Sequence, residues 1–165
     1  MRNNNLDAFV LVMYVALIVF FIYRVFKSNS NKKKLTGEVF AFDRASSTFE
    51  TVLLSILLVT GIVNIVVGFR EPNQRAIITG LVMIALAVVF YAYSKNKLYI
   101  GENGIIANSS FYDFKQLKKW GFDTEKADLI LQVKTDKATS NEVIKVKKDE
   151  IEEINKVIRR FKLNK

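Results

Sequence analysis

The chain has 165 residues, with 25 Lys and Arg against 16 Asp and Glu, no His, no Cys and one Pro. Without Cys or His, disulfides, thiol or imidazole catalysis and the usual zinc, haem and iron–sulfur ligand sets are excluded. Half of the residues are hydrophobic and the mean hydropathy is +0.16, although 25% are charged. Apolar and charged residues must therefore occupy separate segments of a chain long enough for about one domain.

Three stretches carry no charge: residues 8–23, 51–69 and 76–94. Arg24 can turn its guanidinium toward the membrane interface, which carries the first stretch on to residue 26. At 1.5 Å per residue, a helix over each stretch is roughly 28 Å long, about the thickness of a hydrocarbon core. The runs LVMYVALIVFF, VLLSILLVTGIVNIVV and IITGLVMIALAVVF are apolar all round, with no amphipathic stripe. The expectation is a transmembrane region over residues 1–94, with helices at about 8–26, 50–69 and 76–94 and a linker at 27–49. The same three helices buried in a soluble protein would need far more polar chain to wrap them. A signal peptide is a poor alternative for the first, because the bulky, charged FIYRVFK follows it where a small-x-small cleavage site would stand.

Lys and Arg set the expected orientation. After the first span come Arg24, Lys27, Lys32, Lys33, Lys34 and Arg44, whereas the hairpin REPNQR between the other two spans carries only Arg70 and Arg75. Positive-inside bias places the linker and everything after Ser94 in the cytoplasm, with the N-terminus and Pro72 outside. Tyr91 and Tyr93 then fall at the cytoplasmic interface, where amphipathic rings are favoured.

The linker contains EVFAF at 38–42, which alternates like a strand. It can join a sheet edge or form the amphipathic lead-in to the second span, and the lead-in is the preferred reading. Within the spans, Asn64 is the costliest polar residue, since an amide in hydrocarbon needs a partner. A hydrogen bond across the hairpin to the third span supplies one; a contact with another subunit is the functional alternative. Gly61 and Gly68 lie two turns apart on one face, where helices can approach closely. No charge lies inside any span, which argues against an ion-coupled transporter.

Residues 95–165 have a different texture, with 16 basic and 11 acidic residues. Short alternating runs at 98–100, 104–108, 117–122, 129–134 and 142–147 read as about five strands, separated by turns at 101–104 and 136–141. Asp149, with Glu152 three residues on, reads as the cap of a closing helix whose stripe is Ile151, Ile154, Ile158 and Phe161. The expected fold of this tail is a small antiparallel α+β domain of about five strands and one C-terminal helix.

The motifs GENGI, FYDFKQLKKWGF and LILQVK, followed by a basic strand and a helix, resemble the C-terminal cytoplasmic domain of a small, uncharacterised family of bacterial membrane proteins. More loosely, they resemble the pleckstrin-homology-like (PH-like) domains that bacteria attach to membrane helices. The matching positions are Gly104-Ile105 and Phe114-Lys115-Gln116-Leu117, with Phe114 where that family often has Trp. The resemblance covers about 70 residues and implies a PH-like fold of fewer strands than the usual seven. It implies no catalytic residues and no cofactor.

Lys32, Lys33 and Lys34 follow the first span closely and, with Lys95 and Lys97, are candidates for contact with anionic headgroups, each such lysine gaining roughly 1 kcal/mol. The plainer reading of the Lys32–Lys34 run is a topology signal. The basic end of the tail lacks any stacking platform or nucleic-acid motif, and Glu150, Glu152 and Glu153 interrupt it, so no nucleic-acid partner is expected. Tyr112, Trp120 and Phe122 are a candidate partner surface, although a small domain also needs such aromatics for its core. Asp113, Asp123, Glu125 and Asp128 lie in turns beside lysines and make no convincing acid–base pair; no metal site, GxSxG or phosphate loop is present. The sequence thus predicts a non-catalytic, multi-pass protein of a bacterial plasma membrane that acts as an interaction or regulatory module. Its partners would be the lipid bilayer and a membrane protein or a second copy of itself. Two alternatives are self-protection against a membrane-active bacteriocin and an accessory role in a transport complex.

Overall fold

The structure, a computed structural model, describes residues 4–134 and 138–163. The chain divides into two compact units: one holds residues up to Arg24 and Ser47–Ser94, the other Val25–Ser46 and residues from Lys95 onward.

The first unit is helical. It contains most of α1 (Asn4–Lys32), with α2 (Thr48–Arg70) and α3 (Gln74–Ser94). All three are long and apolar enough to cross a membrane. Large apolar side chains point outward along each, among them Val12, Val19, Val59 and Val88, all at least 60% exposed. Water would penalise that surface heavily and hydrocarbon would not. Leu57, Met83, Leu86 and Ala87 form the small interior, with Tyr14, Ile18 and Phe21 of α1 packed against it. Phe21 meets Phe90 edge-on at 5.3 Å and Tyr93 at 5.2 Å.

Local signals set the helix ends. Ser47 and Glu50 form a reciprocal capping box, each side chain accepting from the other's backbone N–H at 3.1 Å, which satisfies two N–H groups that would otherwise lack partners. The hairpin turns through Glu71 and Pro72, and Asn73 Oδ1 accepts from Ala76 N to start α3. The first helix does not stop at residue 26, as the span length suggested. It runs to Lys32, because no Gly or Pro interrupts it; the chain turns away only near Gly37, which adopts φ +71°.

The second unit is α+β. One sheet has the order β1-β2-β3-β4, built from β1 (Phe40–Phe42), β2 (Leu98–Gly101), β3 (Gly104–Ala107) and β4 (Ser110–Asp113), all antiparallel. A second antiparallel sheet has the order β5-β6-β7, from β5 (Leu117–Asp123), β6 (Asp128–Lys134) and β7 (Thr139–Lys145). A bridge between Arg44 and Val146 and the Ala45 N–Lys145 O hydrogen bond of 3.3 Å join the sheets at one corner. The closing helix α4 (Ile151–Leu163) lays Ile154, Val157 and Ile158 into a core shared with Leu98, Ile100, Leu129, Leu131 and Val133.

The structure departs from four of the sequence expectations. The described residues contain seven strands rather than about five; the two missed, β1 and β4, are only three and four residues long. The EVFAF segment is not a lead-in to the second span: Phe40–Phe42 pairs with Leu98–Ile100 and buries Phe42 in the core. Asp149 does not cap α4 but lies inside a 3-10 turn, Lys148–Glu150, that precedes it. Of the turn expected at 136–141, Asp136 and Lys137 lie outside the described residues, and Thr139–Asn141 already belong to β7.

Candidate interaction surface

The inner face of the three-stranded sheet sets the geometry. Trp120 of β5 pairs with Leu131 and Phe122 with Leu129, so both rings point to the α4 side, while Lys119 and Gly121 point away from it. Trp120 and Phe122 are only partly buried, packed against the core rather than in it. Trp120 Nε1–H donates to Asn155 Oδ1 at 3.1 Å, fixing the middle of α4 against β5. At the end of the helix, Lys162 Nζ donates to the carbonyls of Phe114 at 2.6 Å and Leu117 at 2.5 Å. Burial, with Lys118 nearby, lowers the pKa of that amine.

These two ties hold α4 along the strand without covering it. A groove of about 430 Å3 opens beside the Trp120–Asn155 tie, lined by residues 118–122 of β5 with Asn155 and Arg159 of α4. A second hollow of about 580 Å3 shares Trp120, Asn155 and Arg159 and adds Glu152, Lys156 and Leu163. The walls thus bring four cations against the single Glu152. None of Lys118, Lys119, Lys156 and Arg159 is ion-paired with a described residue. Three other basic groups near the end of the chain are ion-paired: Lys145 with Asp128 at 2.9 Å, Lys147 with Asp43 and Glu150, and Arg160 with Glu38 at 2.9 Å.

The residues singled out from sequence fall in several places. Lys97 is ion-paired to Asp43 at 2.9 Å, and Lys32 lies over the Tyr99 ring at 4.5 Å, so both have protein partners. Lys33, Lys34 and Lys95 are exposed. Lys34 lends its carbonyl to Asn103 Nδ2 at 2.8 Å, while Lys95 also has a protein interaction. Gly61 and Gly68 face α3. A Cβ on Gly61 would sit 3.1 Å from Gly80 O, and one on Gly68 would sit 2.9 Å from Ile77 N. Gly80 completes the set, since its own Cβ would meet Gly61 O at 2.6 Å. Asn64 Nδ2 donates to Thr60 O at 2.9 Å, one turn back, and reaches Met83 Sδ of α3 at 3.9 Å. Of the aromatic trio, Trp120 and Phe122 share β5 while Tyr112 lies on β4 in the other sheet, partly buried against the core.

Sequence reasoning missed Asn155, Lys156 and Arg159 as companions of Trp120. Their spacing of one and four residues on an amphipathic helix was the available signal, but nothing local tied that face to β5. Among the described residues no three acidic side chains converge as a metal site would require.

Three apolar spanning helices joined to a two-sheet α+β domain define a membrane protein. Residues 96–163, the greater part of that domain, match a protein-family model described as a domain of unknown function, DUF5673. No curated protein and no solved structure matches the chain.

Proposed function

We propose that this chain is a non-catalytic integral membrane protein of a bacterial plasma membrane. In this reading its N-terminus lies outside, and a PH-like C-terminal domain serves as an interaction or regulatory module at the cytoplasmic face. The observation that carries the reading is the groove beside Trp120: a half-buried aromatic wall flanked by cations that have no acidic partner among the described residues. The PH-like assignment is supported by the strand count. Four strands in one sheet, three in the other and a closing helix remove the shortfall that the sequence resemblance implied. Orientation is supported by the six basic residues between Arg24 and Arg44 against two in the α2–α3 hairpin. The test is purification of the tagged chain in mild detergent at native abundance. A second copy or a membrane partner is expected to come with it in fixed proportion, and a monodisperse monomer without partners overturns the reading.

A further inference from the structure

We propose that the groove between β5 and α4 takes an extended, acidic segment of a partner protein, which adds as a further strand on the free edge of β5. The proposal rests on the reading of the chain as an interaction module and names the class of partner and the way it is held.

The first observation is the edge itself. β5 is the end strand of its sheet, with β6 on one side only. Among the described residues, no main-chain hydrogen bond from residues 118–123 runs to any strand on the other side. A seven-residue strand presenting alternate unsatisfied N–H and C=O groups is a template for another strand unless something blocks it. Here α4 stands beside the edge instead of on it, tied to the start of the strand by Lys162 and to its middle by the Trp120–Asn155 hydrogen bond. The opening that results is lined by both elements.

The second observation is the space. Gly121 lies midway along the strand, and a Cβ placed there would meet no atom within 4 Å. An added strand therefore has room for a side chain opposite Gly121 on the outer face, while Trp120 and Phe122 offer an apolar wall on the inner one. Edge addition draws affinity from main-chain hydrogen bonds and specificity from alternate side chains.

The third observation is charge. Lys118 and Lys119 on the strand and Lys156 and Arg159 on the helix flank the opening, with Glu152 alone opposing them. Carboxylates at alternate positions on the guest's inner face would meet Lys156 and Arg159, a carboxylate between them on the outer face would meet Lys119, and Arg159 can grip its partner with two parallel hydrogen bonds. A strand-forming segment supplies both the backbone and the charges; a lipid headgroup supplies only the charges.

The experiment uses the full chain in nanodiscs of zwitterionic lipid, challenged with a random-peptide library. The enriched peptides are expected to carry Asp or Glu at alternate positions. Their affinity should fall about tenfold or more with Arg159→Glu or Lys119→Glu, and backbone amides 118–122 should gain protection from hydrogen exchange on binding. N-methylation of the best peptide should abolish binding at one set of alternate positions and spare it at the other, the signature of a strand bonded along one edge. No enriched peptide, enrichment without acidic residues, or indifference to N-methylation overturns the proposal. So does the case in which vesicles rich in phosphatidylglycerol, and not peptides, bind in an Arg159-dependent manner. Copurification of a partner through the helices, with no peptide bound by the groove, leaves the interaction-module reading standing and sinks this one alone.

Discussion

Lys147 Nζ donates to Asp43 Oδ2 at 3.0 Å across 104 positions of sequence, and Lys97 reaches the other oxygen of the same carboxylate at 2.9 Å. One acidic side chain just after β1 thus gathers the start of β2 and the segment after β7, at the corner where the two sheets meet. Hydrogen bonds from Lys97 and then Lys147 hold the Asp43 pKa down to about 2, from an ordinary 3.8. A lowered carboxylate pKa contributes stability that is present above pH 3.8 and lost as pH falls through about 2. The two lysines are raised by the same contacts, so their contribution is present below 10.5 and lost as pH rises beyond it. Asp43→Asn should lower the unfolding midpoint at neutral pH and flatten the acid limb below pH 4. The alkaline limb should flatten only in part, because Lys147 keeps Glu150 at 3.2 Å. Thermal unfolding of the detergent-solubilised chain as a function of pH measures this. Added salt should shrink the difference, since the pairs are solvent-exposed.

Gly80 should be the least replaceable residue of the helical hairpin. A Cβ there meets Gly61 O and Ile65 Cγ1 at 2.6 Å each, and backbone cannot move aside without separating α2 from α3. Gly80→Leu should cost about 1–3 kcal/mol or more by overpacking, read as a lowered unfolding midpoint in detergent. Gly121→Ala, where the new methyl meets nothing within 4 Å, should leave stability nearly unchanged.

The contrast between those two glycines also marks what sequence could and could not reveal. The spans were legible because their lengths and all-apolar composition are dictated by the solvent, and β6 was legible because Leu129, Leu131 and Val133 alternate inward. Gly61 and Gly68 were readable as a close-packing face from spacing alone, but their partner Gly80 was not, since the pairing depends on hairpin register. β1 and β4 escaped because strands this short carry almost no periodicity. The Phe40–Phe42 run looked the same whether it met lipid or β2. The groove beside Trp120 was half visible: the aromatic concentration around β5 stood out, while the basic face of α4 opposite it is a product of tertiary packing.

Ser47 should be worth more to the helical unit than its half-buried loop position implies. Its hydroxyl and the Glu50 carboxylate satisfy two N–H groups at the start of α2. Ser47→Ala should cost about 1 kcal/mol, and Ser47→Asp should restore most of it, because a carboxylate can accept the same Glu50 N–H and is favoured at a helix N-terminus. Unfolding midpoints of the three chains, taken side by side, measure the cap separately from any effect of the loop.

Asn155 should separate the positioning of α4 from the integrity of the core. Its side chain accepts from Trp120 Nε1 at 3.1 Å, whereas the neighbouring Ile154 and Ile158 are fully buried. Asn155→Ala should cost only about 0.5–1.5 kcal/mol, and Ile158→Ala about 2–5 kcal/mol through the cavity it leaves. Trp120 fluorescence should shift in the first variant before any loss of secondary structure, because the indole loses its hydrogen-bond acceptor while the core stays filled.

The absence of cysteine from the sequence makes the proposed orientation directly measurable. Single substitutions Glu71→Cys, in the turn between α2 and α3, and Lys119→Cys, on β5, introduce one thiol each at exposed positions. With the N-terminus outside, a membrane-impermeant maleimide added to intact cells should label Glu71→Cys and spare Lys119→Cys until the membrane is permeabilised. The reverse pattern would place the α+β domain outside. It would also remove the reason for its basic groove to await an intracellular partner, because the six basic residues after the first span would then face the wrong side for positive-inside insertion. Equal labelling of both in intact cells would mean that the three helices do not cross the bilayer in this order, and the outward apolar side chains along them would then need a protein surface to cover them.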